Sequence, residues 1–146
     1  MTLTRDQIVD LLAGTRLFAG VDPAGLRRVA GRMTQLDVPA DRVIVRQGEI
    51  GTGFFILLSG AVRVVRDGDL LAELGPGAFF GELSVIDRQP RLAQVISSQP
   101  TTCLALASWD FEAVMEEQPR VAIAIMRDLA GRLRELTREL TEAHHH

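Results

Sequence analysis

The chain contains no lysine, asparagine or tyrosine, a single cysteine, and no histidine outside its last three positions. Without an internal histidine, the Ser-His and Cys-His nucleophile arrangements and imidazole-held metals have nothing to build on. One cysteine excludes an internal disulfide and a thiolate zinc cluster. Cys103 lies in the apolar run 102–107 and reads as a core residue. No apolar run approaches the roughly 18 residues that would call for a bilayer span. Residues 1–13 are amphipathic rather than signal-like, so a cytoplasmic location and no membrane partner are expected. The net charge of −3 with a pI near 5.6 leaves no global positive field, so nucleic acid is not an expected partner of this chain alone. All 16 basic residues are arginine, which reads as codon bias in a GC-rich genome. The closing His144, His145 and His146 read as the remnant of a purification tag, and residues 143–146 are set aside on that ground.

What is present suffices for one domain over residues 1–142. At 146 residues and 47% hydrophobic, the chain can bury one core but not two of ordinary size. Residues 1–33 carry helical spacing: Ile8, Leu11 and Leu12 first, then Leu26, Val29, Ala30 and Met33 after Asp22 and Pro23, which suit a cap and a first helical position. The second helix is expected to end near Thr34. From residue 34 to 107 the period shortens. Runs at 35–38, 43–46, 54–58, 61–66, 70–74, 93–97 and 102–107 read as strands, separated by turn signals such as Asp67-Gly68 and Gly75-Pro76-Gly77. Many short strands with such turns imply a mainly β body, an antiparallel barrel or jelly roll, rather than a β-α-β fold. Ser108 is positioned to cap a helix over 109–117, and Pro119 to open a longer one reaching about Glu142.

The densest chemistry lies in residues 80–95, FGELSVIDRQPRLAQV. Gly81 lets backbone N–H groups approach a ligand, and a helical turn over 83–86 would aim unpaired N–H groups and a positive dipole end at an anion. Arg91 follows Pro90 and offers a planar fork of donors suited to phosphate oxygens. Glu82 stands nine residues before it. The combination reads as a phosphate pocket.

That segment resembles the phosphate-binding cassette of the cyclic nucleotide-binding domain, whose pattern is Phe-Gly-Glu-Leu-small-apolar, a short linker, then Pro-Arg-x-Ala-x-Val. Residues 44–60, IVRQGEIGTGFFILLSG, resemble a second motif of the family through Gly48, Glu49, Gly51, the apolar run 54–57 and Gly60. The order of helix, roll and two helices extends the resemblance over residues 4–141. It implies an antiparallel β-roll (a double-stranded jelly roll) with N-terminal helices and two C-terminal helices. The implied ligand is a cyclic nucleotide, with no cofactor and no metal. In the family the position of Arg91 binds the exocyclic phosphate oxygens, and that of Glu82 accepts a hydrogen bond from the ribose 2′-hydroxyl. Gly81, Leu83, Leu92 and Ala93 would supply backbone N–H groups, and Val64, Leu71 and Ala72 an apolar wall facing ribose and base. Leu136 and Thr137 match helix positions that contact adenine, while Arg132 and Arg134 match helix arginines that reach the base in some family channels. Leu92 departs from the usual Ser, Thr or Ala. It lacks the hydroxyl that contacts guanine, so cyclic AMP is expected ahead of cyclic GMP. The glycines Gly48, Gly51, Gly53 and Gly60 read as turn residues of the roll.

Met126, Leu129, Leu133, Leu136 and Leu140 recur at spacings of three and four on the last helix. This seam either packs on the chain's own roll or pairs with a second copy in a homodimer. Three readings stay open: a sensor module that signals through its C-terminal helices, an interaction or dimerisation module with a degenerate pocket, and the sensor half of a transcription regulator lacking its helix-turn-helix. An enzyme is not expected, since a couple such as Glu82 and Asp87 has no substrate to motivate it.

Overall fold

A computed structural model describes residues 2–51 and 53–144; His145 and His146 of the expected tag lie outside this range. Helix α1 (Arg5–Ala13) begins at Thr4, whose side chain accepts from the Gln7 backbone N–H at 3.2 Å while the Gln7 side chain accepts from the Thr4 N–H at 2.9 Å. Two end groups are thereby satisfied reciprocally. Helix α2 (Pro23–Gly31) is capped as expected by Asp22, which accepts from Gly25 N–H at 2.9 Å. It stops short of Thr34 because Thr34 already opens strand β1 (Thr34–Val38).

The other strands are β2 (Val43–Val45), β3 (Gly53–Ser59), β4 (Val62–Arg66), β5 (Asp69–Leu74), β6 (Phe79–Phe80), β7 (Gln94–Ser97) and β8 (Thr101–Ala107). Seven match the expected runs to within a residue at each end. Strand β6 has only two residues, too few to display an alternation, and its pairing with Phe55 and Ile56 of β3 creates it. Two four-stranded antiparallel sheets, ordered β1-β8-β3-β6 and β2-β7-β4-β5, form the roll. Between β6 and β7 lies helix α3 (Glu82–Asp87), and after β8 come α4 (Ser108–Glu117) and α5 (Pro119–His144). Ser108 is not the cap of α4. Strand β8 runs directly into the helix, so Ala107 takes the cap position with no side-chain hydrogen bond and Ser108 is already helical.

Alternation along β3 explains why its sequence is apolar without interruption. Phe54 and Ile56 point to the helices, where they join Leu12, Phe18, Val29, Phe79, Leu104, Leu106, Phe111 and Val121. Leu57 points into the roll with Val45, Val62, Phe80, Val95 and Cys103. A strand covered on both faces needs apolar residues at both parities. Phe54 packs between Phe79 and Phe111 at ring separations of 5.6 and 5.2 Å, tying β3 to β6 and α4. Cys103 is fully buried, and burial pushes its thiol pKa up to about 11, in keeping with a core role. No helix of the described residues is long and apolar enough to cross a membrane.

Candidate functional site

A cavity of about 610 Å³ opens between the β4–β5 hairpin, α3, the loop before β7, and α5. Val45, Val64, Ala72, Leu74, Phe80 and Val95 form apolar walls, and Gly81, Glu82, Ser84, Arg91 and Arg132 stand at a polar end. Mostly apolar lining with a few converging polar groups is the usual make-up of a small-molecule site.

Arg91 is held from several sides. Its backbone N–H donates to Glu49 O and its carbonyl accepts from Gly48 N–H, both at 2.8 Å, and Ile50 bridges to Pro90. Its Nη2 donates to Gly53 O at 2.8 Å. The half-buried guanidinium lies against Gly51 and Gly81. A Cβ at Gly51 would fall 2.4 Å from Arg91 Cζ, and one at Gly81 2.9 Å from Nη1 and 2.8 Å from Gly53 O. Gly81 also adopts φ 90°, the left-handed conformation that starts α3 and that glycine alone enters without strain. Ser84 completes the support. Its buried hydroxyl accepts from Gly51 N–H at 2.7 Å and donates to Gln89 O at 2.6 Å, fastening the β2–β3 loop to the segment that carries Arg91. Burial pulls the Arg91 pKa down, opposed by the charges of Glu82 and Glu49.

Glu82 is only 3% exposed. Burial raises its carboxyl pKa, against a backbone hydrogen bond and the charges of Arg132 and Arg91. Its Oε1 accepts from Arg132 Nη1 at 3.0 Å. Arg132 Nε lies 2.8 Å from Asp128 Oδ2, an ion pair whose geometry does not make a hydrogen bond, so this buried oxygen is neutralised without a donor. Arg16 pairs with Asp128 Oδ1 at 3.1 Å, and the Arg132 guanidinium sits 5.4 Å from the Phe79 ring centroid. The Glu82 carboxylate is therefore paired to α5.

Of the residues expected from sequence, Gly81, Glu82, Arg91, Leu92, Ala93, Val64 and Ala72 line this one cavity, as does Arg132. Leu83 is the second residue of α3. Leu92 is 58% exposed at the rim. Leu71 is displaced from its expected place. Side chains alternate along β5, so Ala72 and Leu74 face the cavity while Leu71, 58% exposed, lies on the other face. Leu136, Thr137 and Arg134 are also outside the lining. Residues 130–142 are exposed, and no residue after Arg132 lines the cavity; the Thr137 hydroxyl donates to Leu133 O of its own helix. Gly51 and Gly53 are not turn glycines. Only Gly48 and Gly60 of that motif have positive φ, and Gly51 and Gly53 instead seat Arg91. Ser84 and Asp128 were missed; the small residue three positions after Gly81 was the one available hint for Ser84. Among the described residues no cluster of His, Cys, Asp and Glu suited to a metal occurs.

The family model described as Cyclic nucleotide-binding domain matches residues 35–118, more than half of the chain. A cyclic nucleotide-gated potassium channel of Mesorhizobium japonicum is 38% identical over 112 residues, which are 77% of this chain and 31% of the channel. The cyclic AMP receptor protein of Thermus thermophilus is 34% identical over 134 residues, 88% of this chain and 62% of that protein. A crystal structure of the Thermus thermophilus catabolite activator protein superposes with a TM-score of 0.81 at 34% identity, covering 87% of this chain and 62% of the other. The chain thus spans about a third of the channel's length and less than two thirds of the regulator's.

Proposed function

The chain belongs to the cyclic nucleotide-binding domain family and is a regulatory domain of that kind; from this premise we propose that residues 1–142 form one sensor that binds cyclic AMP in preference to cyclic GMP and reports the binding through α4 and α5. One observation carries this reading. Arg91, seated by Gly51, Gly53 and Gly81, and the buried Glu82 open into the same apolar cavity at the start of α3.

In this reading Arg91 and the first N–H groups of α3 hold the cyclic phosphate, for which a planar fork and a helix start are suited. Glu82 takes the ribose hydroxyl, Leu92 and Ala93 add backbone donors, and Val64 and Ala72 face the base. Leu92 lacks the hydroxyl that a guanine would use, which supports cyclic AMP. Arg132 touches both the cavity and Glu82, so any ligand that engages Glu82 acts on the contact holding α5. A ligand with different affinity for two α5 positions shifts their populations. The site has no catalytic role here. Titration calorimetry with cyclic AMP, cyclic GMP and linear AMP tests the reading. Cyclic AMP should bind tightest, and Arg91→Ala should weaken it by about 2 to 5 kcal/mol, as for a partner removed from a desolvated charge pair. Unchanged affinity in a folded Arg91→Ala protein would overturn it.

A second element of the proposal concerns assembly. Met126, Leu133, Leu136 and Leu140 are between 56% and 66% exposed on one stripe of α5, while Leu129 packs against the core. The stripe is not covered by the chain's own roll, which favours pairing with a second copy.

A further inference from the structure

A second concavity shares no residue with the nucleotide cavity. Arg5 of α1, Arg27, Arg28 and Gly31 of α2, Arg32 at the C-cap of α2, and Glu117 of α4 line it. Four of the 16 arginines thus gather in one open groove of a chain whose net charge is −3. Their existing partners leave capacity. Arg27 pairs with Asp6 at 3.0 Å, with both side chains mostly exposed, and Arg32 is held by Asp110 at 3.0 Å and Glu117 at 2.8 Å. Arg5 and Arg28 form no ion pair among the described residues. Arg32, the C-cap residue of α2, follows Arg28 by four positions. The Arg5 guanidinium crosses from α1 to lie over Gly31, where a Cβ would meet its Cζ at 3.4 Å, so the missing side chain lets α1 place this charge close against α2.

We infer that this groove docks an acidic peptide segment of a partner protein. Guanidinium forks suit carboxylates bidentately, and the four arginines meet three carboxylates, Asp6, Asp110 and Glu117, which pair with Arg27 and Arg32 and leave Arg5 and Arg28 available. The donors are spread over two helices rather than converging on one point. An extended chain with several carboxylates reaches them together, whereas one small anion reaches only part of the set. The exposed Arg27–Asp6 pair is weak enough to exchange for a carboxylate of the partner. This assignment does not depend on which nucleotide, if any, occupies the other cavity.

Fluorescence anisotropy of a labelled decaglutamate peptide, titrated with the full chain at about 50 mM salt, reads the binding with screening kept low. Arg5→Ser/Arg28→Ser removes two exposed side chains without ion-pair partners, so its thermal midpoint should match the parent. Its affinity for the peptide should fall about tenfold, the loss of two surface charge pairs. Arg46→Ser/Arg66→Ser, which removes the same charge outside the groove, should leave most of the affinity. No binding by the parent, or equal losses in the two double variants, would overturn the assignment. So would a single-stranded decanucleotide that binds as tightly and is lost with the same pair, which would make the groove a nucleic-acid site.

Discussion

The Arg132 guanidinium donates to the buried Glu82 carboxylate at 3.0 Å across 50 residues of sequence, joining α5 to the first residue of α3. Removing Arg132 leaves an acid that is 3% exposed without its cation. Because the Arg132 side chain is itself 49% exposed, the cost is discounted from that of a fully buried pair. Arg132→Ala should destabilise the fold by about 1 to 2 kcal/mol. Arg132→Ala/Glu82→Gln should be less destabilised than Arg132→Ala alone, because the stranded charge is gone. Urea unfolding of the four proteins in the cycle measures this, and additive effects would show that the pair contributes nothing.

Gly51 is expected to govern affinity through Arg91 rather than through stability alone. Alanine there places a methyl where the guanidinium now lies, so the fork must turn away from its seat. Gly51→Ala should lose about 1.5 to 3 kcal/mol of cyclic AMP affinity, tenfold or more, while keeping a cooperative unfolding transition. Calorimetry beside thermal melts separates the two effects. Parent-like affinity would mean that Arg91 binds without this seat.

Glu82 also sets a pH dependence. Burial raises its carboxyl pKa, so the native state keeps the proton to higher pH than the unfolded chain does. Between the unfolded and the native pKa the native state binds more protons, and stability falls as pH rises through that window and is level above it. Glu82→Gln removes the effect. Its melting temperature should gain on the parent's as pH is raised from the acid side of the window to neutrality. A gap between the two proteins that is flat, or that closes toward neutral pH, contradicts the assignment.

The exposed stripe on α5 predicts an assembly state. Leu133→Glu/Leu136→Glu places two charges in the seam at positions the chain's own body does not cover. Light scattering behind gel filtration should report a dimer for the parent and a monomer for the variant, with unchanged helix content. A monomeric parent at tens of micromolar would remove pairing from the proposal.

Strands were readable because a half-covered or fully covered strand imposes a period of two between turn residues, and seven of them appeared where that period placed them. Phe79–Phe80 was invisible for the same reason in reverse, since two residues have no period. The motif glycines divided in a way that sequence does not announce. Gly48 and Gly60 serve the backbone, whereas Gly51 serves a side chain 40 positions later. Leu71 and Ala72 are both apolar neighbours, and only the pairing of Val64 with Ala72 tells which of them faces the cavity. On α5, no local pattern distinguishes Arg132 from Arg134.

The sequence by itself determined the family, the β-roll and the core of the candidate site, because Gly81, Glu82 and Arg91 lie within eleven residues and form one contiguous motif. Only the tertiary structure decided what holds those residues: Gly51 and Ser84 beneath Arg91, Arg132 against Glu82, and Leu71 turned outward. Each of these depends on contacts between segments far apart in the chain, and such contacts are fixed by strand register and by packing of the whole core rather than by any residue's neighbours.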